Sequence, residues 1–356
     1  MTKKIVISSA FLVFSFFAYS QTDSTAPVPA ATTKISGYVD AYYRYNFNNP
    51  QDGFNTGGTS FTNSQNSFQL GMASVKVEHS FGKVGMVADL GFGTRAKEFS
   101  YADADYLVPV KQAYVTYAPS DKVKFTMGKW ATHIGYELLD PALNKNYSMS
   151  YMFSYGPFSH TGIKADFTLG SGSGLMVGIA NPIDVTAPSS APTKTLLGQY
   201  SYVGSKFSAY LNYMGYFGAK TSIPSASSLS QFGLTMVATV SDKFSIGYDG
   251  TVQSVKDNEA NKNKSKSWWG SALYFNYMPT DKFALCLRSE YFGDKKYGLK
   301  VGANVFQSTL SANFKVGNLL IIPEIRLDNA SQEIFEKKDG TTKSTAAGIL
   351  AVVYSF

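Results

Sequence analysis

The 356-residue chain is rich in rings and poor in charge: aromatics make up 15% of it and charged residues 16%, against about 25% charged in ordinary soluble domains. Many amphipathic rings and few ionised groups argue for a surface that meets something besides water. The net charge of +7 is a modest excess in a dilute set, which excludes a basic nucleic-acid-binding surface.

The first twenty residues, MTKKIVISSAFLVFSFFAYS, hold Lys3 and Lys4, an apolar run from Ile5 to Phe17, and then Ala18-Tyr19-Ser20. That order predicts a secretory signal peptide over 1–20, cut before Gln21. The alternative, a permanent anchor helix, needs roughly 20 apolar residues and the run is shorter. Cleavage would leave 30 − 25 = +5. Residues 21–34 are small and Pro-bearing and read as a periplasmic lead or linker. The single cysteine, Cys286, excludes an internal disulfide, and it lies too far from the cleavage site for a lipidated N terminus. No other stretch has 18 consecutive apolar residues. Export without a spanning helix leaves a soluble all-β protein or a membrane barrel.

From Ile35 the sequence alternates with the period of a strand. In ISGYVDAYYRYNF the apolar set is Ile35, Val39, Ala41, Tyr43, Tyr45 and Phe47, facing away from Asp40, Arg44 and Asn46. HTGIKADFTL sets Ile163, Ala165 and Phe167 against Lys164 and Asp166, and NVFQSTLSANFK repeats the pattern with Phe306, Leu310 and Phe314. Thirteen further segments behave alike, from 67–80 to 343–356, among them KFSIGYDGTVQ at 243–253. No Asp, Glu, Lys or Arg sits mid-strand on an apolar face; the nearest, Lys111 and Lys129, fall at strand ends. A lipid-facing Lys or Arg near the bilayer midplane costs about 2–4 kcal/mol, whereas a wet lumen accepts it. Short connectors (81–82, 119–121, 171–173, 204–205, 241–242, 279–281, 317) alternate with long ones (48–65, 96–109, 131–159, 182–194, 218–229, 256–265, 294–303, 330–342). With 147–155 read as loop, the prediction is an all-β, closed antiparallel transmembrane β-barrel over 35–356. It has about sixteen strands, with fourteen or eighteen left open. The last strand places Leu350, Val352, Tyr354 and Phe356 on its lipid face, with Trp269 and Tyr277 in aromatic girdles. Pro323 lacks a ladder donor and predicts a bulge or a frayed bond.

The stretches ISGYVDAYYRYNFN, KQAYVTYAPSDKVKFTMGKWATHIGYE and the final YSF resemble the outer-membrane β-barrel porins common in Bacteroidetes, with a fainter similarity to phosphate-selective porins. The resemblance implies a Gram-negative outer-membrane location and passive permeation, and it carries no catalytic residues. A terminal aromatic in this setting resembles the signal by which such barrels enter the assembly machinery, here through the Phe356 strand. Outer-membrane lipid, small hydrophilic solutes and a homotrimer are the partners so implied. No cofactor and no metal are expected.

A barrel this wide leaves an aqueous channel. Parity alone selects its lining: Asp40, Arg44, Lys76, Glu78, Asp89, Lys164, Asp166, Asp249, Arg288, Glu290, Glu324, Arg326 and Asp328. Pairs such as Arg326 with Glu324 or Asp328 could equally be bridges that stabilise the wall. The longest loop, 131–159, carries apolar residues unsuited to free display. It is expected either to fold inward as a constriction, with Glu137, Asp140 and Lys145 near the narrowing, or to pack over the rim. The first functional reading is a general or weakly selective porin. The second is a surface-binding or adhesin barrel with a blocked lumen, and the third an outer-membrane lipid hydrolase. The absence of a large plug domain before the first strand argues against energised transport. His79, His133 and His160 are scattered without metal-ligand spacing, the SHTG at 159–162 is a chance juxtaposition, and GFGTRA at 91–96 opens no helix of a βαβ unit.

Overall fold

The computed structural model describes residues 31–51, 58–217, 226–257, 265–294 and 301–356. The segment read as a signal peptide and most of the lead lie outside these residues, as do parts of four long connectors. The strands are β1 (Thr32–Asn46), β2 (Ser67–Phe81), β3 (Val84–Phe92), β4 (Val110–Ser120), β5 (Val123–Ala131), β6 (Ser159–Gly170), β7 (Ser173–Ala180), β8 (Thr195–Val203) and β9 (Phe207–Tyr216). They continue as β10 (Ala226–Ser241), β11 (Phe244–Asp257), β12 (Ser265–Thr280), β13 (Phe283–Gly293), β14 (Asn304–Val316) and β15 (Leu319–Ala330). A small hairpin, β16 (Phe335–Lys337) with β17 (Gly340–Thr342), follows before β18 (Ser344–Ser355). Among the described residues sixteen strands, all but β16 and β17, close into one antiparallel barrel. The first strand begins at Thr32, three residues inside the stretch read as linker.

Closure joins the two ends of the described chain. Tyr38 pairs with Ser355 and Asn46 with Ala347, and the ladder is extended by Gly37 N donating to the Phe356 carbonyl (3.1 Å) and Phe356 N to that of Gly37 (3.0 Å). With no edge, every strand can satisfy its backbone within lipid. The outward face is apolar at strand after strand: Val115, Met127, Ile163, Leu211, Leu310, Leu327 and Leu350 are all exposed. Rings gather toward both rims, as in Trp269 stacked on Tyr291 (5.2 Å between centroids) and Phe283 tilted on Phe314 (4.9 Å). Tight turns at one end use left-handed backbone, with Gly82 at φ 55° and Gly317 at φ 60°, where a side chain would be strained.

Two irregularities have visible causes. The β14–β15 ladder skips from Ser311–Glu324 to Phe314–Ile321, a gap centred on Pro323, which has no N–H to give. Near the top of β4 the register shifts between Asp89 and Leu90. This bulge turns Lys111 into the barrel, correcting its assignment to the apolar face. Lys129 is likewise buried, over the Phe99 ring and bridged to Asp103 at 2.7 Å. GFGTRA does open a helix, α1 (Thr94–Phe99), but as one short turn-and-a-half in a loop with no parallel strand to follow.

Candidate functional site

The chain between β5 and β6, residues 132–158, enters the barrel. Its apolar side chains explain the direction: Leu139, Tyr147, Met149, Tyr151, Met152, Phe153 and Phe158 are all buried. Displaying them to water would forfeit about 25 cal/mol for each Å² of apolar surface. Tyr147 and Met149 pack with Tyr38, Tyr42 and Ile349 of the wall, Tyr151 and Met152 with Trp268, Tyr274 and Phe292, and Ile134 with Trp130, Leu197 and Met214. Most of the segment is neither helix nor sheet. Its only α-helix among the described residues, α2 (Tyr151–Tyr155), is a single turn capped by Ser150 Oγ, which accepts from Phe153 N.

A buried irregular backbone needs hydrogen-bond partners, and the inward wall supplies them. Glu324 accepts from Tyr147 N (2.7 Å) and Ser148 N (3.1 Å). Glu290 accepts from Tyr151 N and Met152 N, both at 2.8 Å, at the start of α2. Asp249 takes Tyr136 N (3.2 Å), and Asp40 takes the Tyr147 hydroxyl and Met72 N. Arginines hold the carbonyls: Arg288 donates to Ser148 O and Arg326 to Met149 O, each at 2.7 Å. Glu137 of the loop bridges Arg288 (2.5 Å) and accepts from Ser150 N and Oγ. Asn313 donates to Lys145 O, and Asn146 donates to Ser311 Oγ while accepting from Cys286 Sγ at 3.2 Å. One run of loop is thus clipped, amide by amide, to β1, β11, β13, β14 and β15.

The thirteen residues selected by parity all lie on inward strand faces, but they do not all line water. Asp40, Arg44, Asp89, Asp249, Arg288, Glu290, Glu324, Arg326 and Asp328 are buried, because the loop covers them and uses most of them. Arg326 is clamped by Asp328 (2.7 Å), and Arg44 donates to Ser64 O at 2.6 Å. Only Lys76 with Glu78 (3.0 Å; 27% and 37% exposed) and Lys164 with Asp166 (3.3 Å; 17% and 27%) keep solvent contact. Of the loop residues, Glu137 is buried on Arg288. Asp140 is held by Lys111 (2.7 Å) and by the Tyr38 hydroxyl (2.9 Å), and Lys145 is half-buried.

Several contributors escaped sequence reasoning. Lys111 reaches both Asp89 (3.0 Å) and Asp140 once the bulge is formed. Arg95 of α1 is buried between the rings of Phe61 and Tyr147 and donates to Leu139 O. Asp184, between β7 and β8, accepts from Phe158 N (2.7 Å), Ser159 N (2.8 Å) and the Tyr101 hydroxyl (3.0 Å). Burial pushes its carboxyl up to about 6 despite those donors. His133 and His160 are not scattered: their rings lie 5.3 Å apart at the two roots of the loop. Burial holds the His133 imidazole down at about 4. Ser159 and His160 are consecutive in a strand and face opposite ways, so they form no nucleophile–base pair. Among the described residues no cluster of three or more His, Cys, Asp or Glu is placed to hold a metal.

The family described as "Putative beta-barrel porin-2, OmpL-like" matches residues 32–356. The chain belongs to that family. No curated protein matches it. Solved structures of similar fold include the anion-selective porin from Comamonas acidovorans, with TM-score 0.63 and 11% identity over 92% of this chain and 100% of that one. The outer membrane channel DcaP of Acinetobacter baumannii gives TM-score 0.61 and 15% identity over 92% and 97%. The trimer form of OmpT, an outer membrane protein of Vibrio cholerae, gives 0.61 and 12% over 92% and 100%. At such identities the likeness is one of fold. This porin-family chain is a transmembrane β-barrel of the outer membrane.

Proposed function

We propose that this porin-family barrel is a narrow passive channel for small hydrophilic solutes, constricted by the loop at 132–158. The observation that carries this reading is how far down the barrel the loop reaches. It is held to β1, β4, β8, β9, β11 and β13–β15, while nearer the tight turns Lys76 with Glu78 and Lys164 with Asp166 keep solvent contact. Such a barrel admits solutes by size and by the charge of its wet wall. Export through the predicted signal peptide, insertion through the assembly machinery by way of the Phe356 strand, and a homotrimer like the OmpT trimer form belong to the same proposal.

One observation favours a second reading, a closed barrel whose outer loops bind a partner: toward the long-loop end, apolar clusters fill the interior around Trp130, Met214, Tyr151 and Phe292. Planar-bilayer recording separates the two. A passive channel gives small discrete current steps that grow when residues 138–150 are deleted. A closed barrel is silent until that deletion is made, and an unchanged step size in the deletion variant would refute the constriction.

A further inference from the structure

Alternation puts eight carboxylates (Asp40, Glu78, Asp89, Asp166, Asp249, Glu290, Glu324, Asp328) and five cations (Arg44, Lys76, Lys164, Arg288, Arg326) on the inner wall. Counted as they stand, 5 − 8 = −3, they describe a cation-preferring lumen. The fold reverses that sign. Six of the eight carboxylates are buried, five of them bonded to loop or wall donors and Asp328 to Arg326, and the three arginines are buried with them. What keeps contact with water is a different set.

Lys76, Glu78, Lys164 and Asp166 belong to it, as described above. Lys124 joins them, half-buried on the inward face of β5 and directly across the ladder from Asp166. Lys145, half-buried, rides the loop next to Lys315, which is exposed near the tight-turn end of β14. Lys34, exposed on β1 directly across the ladder from Glu78, lies on the same face. The wet wall therefore carries six lysines (34, 76, 124, 145, 164, 315) against Glu78, Asp140 and Asp166, or 6 − 3 = +3. Asp140, partly exposed, is counted because Lys111 is shared between it (2.7 Å) and buried Asp89 (3.0 Å), so that single cation does not cancel both carboxylates. All six lysines lie toward the tight-turn end, where a low-dielectric wall focuses their field on the path.

We infer that the passage prefers small inorganic and organic anions, and that Lys124, Lys145 and Lys164 are specificity-determining residues. The inference rests on the channel reading above. Its origin is physical: backbone amides of the loop consume carboxylates, because N–H donors need anionic or carbonyl acceptors, whereas an ammonium offers those amides no acceptor.

The test is the reversal potential of the purified full chain in planar bilayers across a KCl gradient. Three net charges about 8 Å from the path, screened at roughly 0.1 M salt, correspond to a chloride-to-potassium permeability ratio of about three or more. That ratio should fall toward one as the salt is raised to about 1 M. The double variant Lys124→Glu/Lys145→Glu changes the sum to 4 − 5 = −1 and should bring the ratio below one. Lys337→Gln, on the outer hairpin, should leave it unchanged. Open channels that prefer potassium in the unaltered protein, or a ratio indifferent to salt, overturn the anion preference alone. Complete silence overturns the channel reading, and the preference with it.

Discussion

Replacing Glu290 by alanine removes a loop anchor without touching a strand–strand hydrogen bond. Its carboxylate accepts from Tyr151 N and Met152 N at 2.8 Å, fully buried. Hydrogen bonds to a charged group contribute about 1.5–3 kcal/mol each, so the two hold the segment by about 3–6 kcal/mol. Part of that is offset by the desolvation of the carboxylate, which the substitution also abolishes. A net loosening of about 3 kcal/mol remains, since two buried donors lose their acceptor. At 1.4 kcal/mol per factor of ten, amide exchange over residues 147–155 should accelerate about 100-fold if it proceeds by local opening. Hydrogen-exchange mass spectrometry in detergent reads this directly, with β18 peptides as an internal reference that should not change. Glu290→Gln, which keeps one carbonyl oxygen, should recover part of the protection. Unchanged exchange over 147–155 in the alanine variant, with β18 still protected, would show that the wall carboxylates do not hold the loop.

Two groups outside the strands predict opposing pH dependence. Asp184 has a folded value near 6, above its unfolded 3.8, so its contribution weakens stability as pH rises from about 4 to 6. His133 has a folded value near 4, below 6.5, so its contribution is complete above 6.5 and is lost as pH falls toward 4. Each amounts to about 3 kcal/mol at full extent. Relative to the unaltered protein, Asp184→Asn should lose stability on acidification through this window, and His133→Gln should gain it; parallel curves for all three proteins would contradict the assignment. Cys286, buried against Asn146, should resist a bulky maleimide in the folded protein and react in Glu324→Ala, where Tyr147 and Ser148 lose their acceptor. Equal labelling of both would mean the loop tip is not held there. Lys111→Met leaves Asp89 and Asp140 without their shared cation, a loss of about 3–5 kcal/mol. It should lower the melting temperature, and Asp89→Asn in the same chain should restore part of it. An unaffected melting temperature would refute the triad.

Much of the architecture was legible from residue order. A period of two, with Ile163, Phe167, Leu310 and Phe314 on one side and ions on the other, is a local property that survives any arrangement of neighbours. The strict alternation of short and long connectors then led to sixteen strands, and the missing donor of Pro323 to the frayed ladder beside it. Lys111 escaped because a bulge is a one-residue slip, invisible to parity. Arg95 and Asp184 escaped because each acts from a loop on a partner far along the chain, Arg95 at Leu139 and Asp184 at Phe158.

The lumen shows where such reading stops. Alternation assigned Asp40, Glu290, Glu324 and Lys164 alike to the inner wall. Which of them meets water was decided only when residues 132–158 folded back onto strands more than a hundred positions away, as Tyr147 did on Glu324. Side-chain direction follows from the two bonds on either side of a residue, whereas solvation depends on whatever the rest of the chain brings against it.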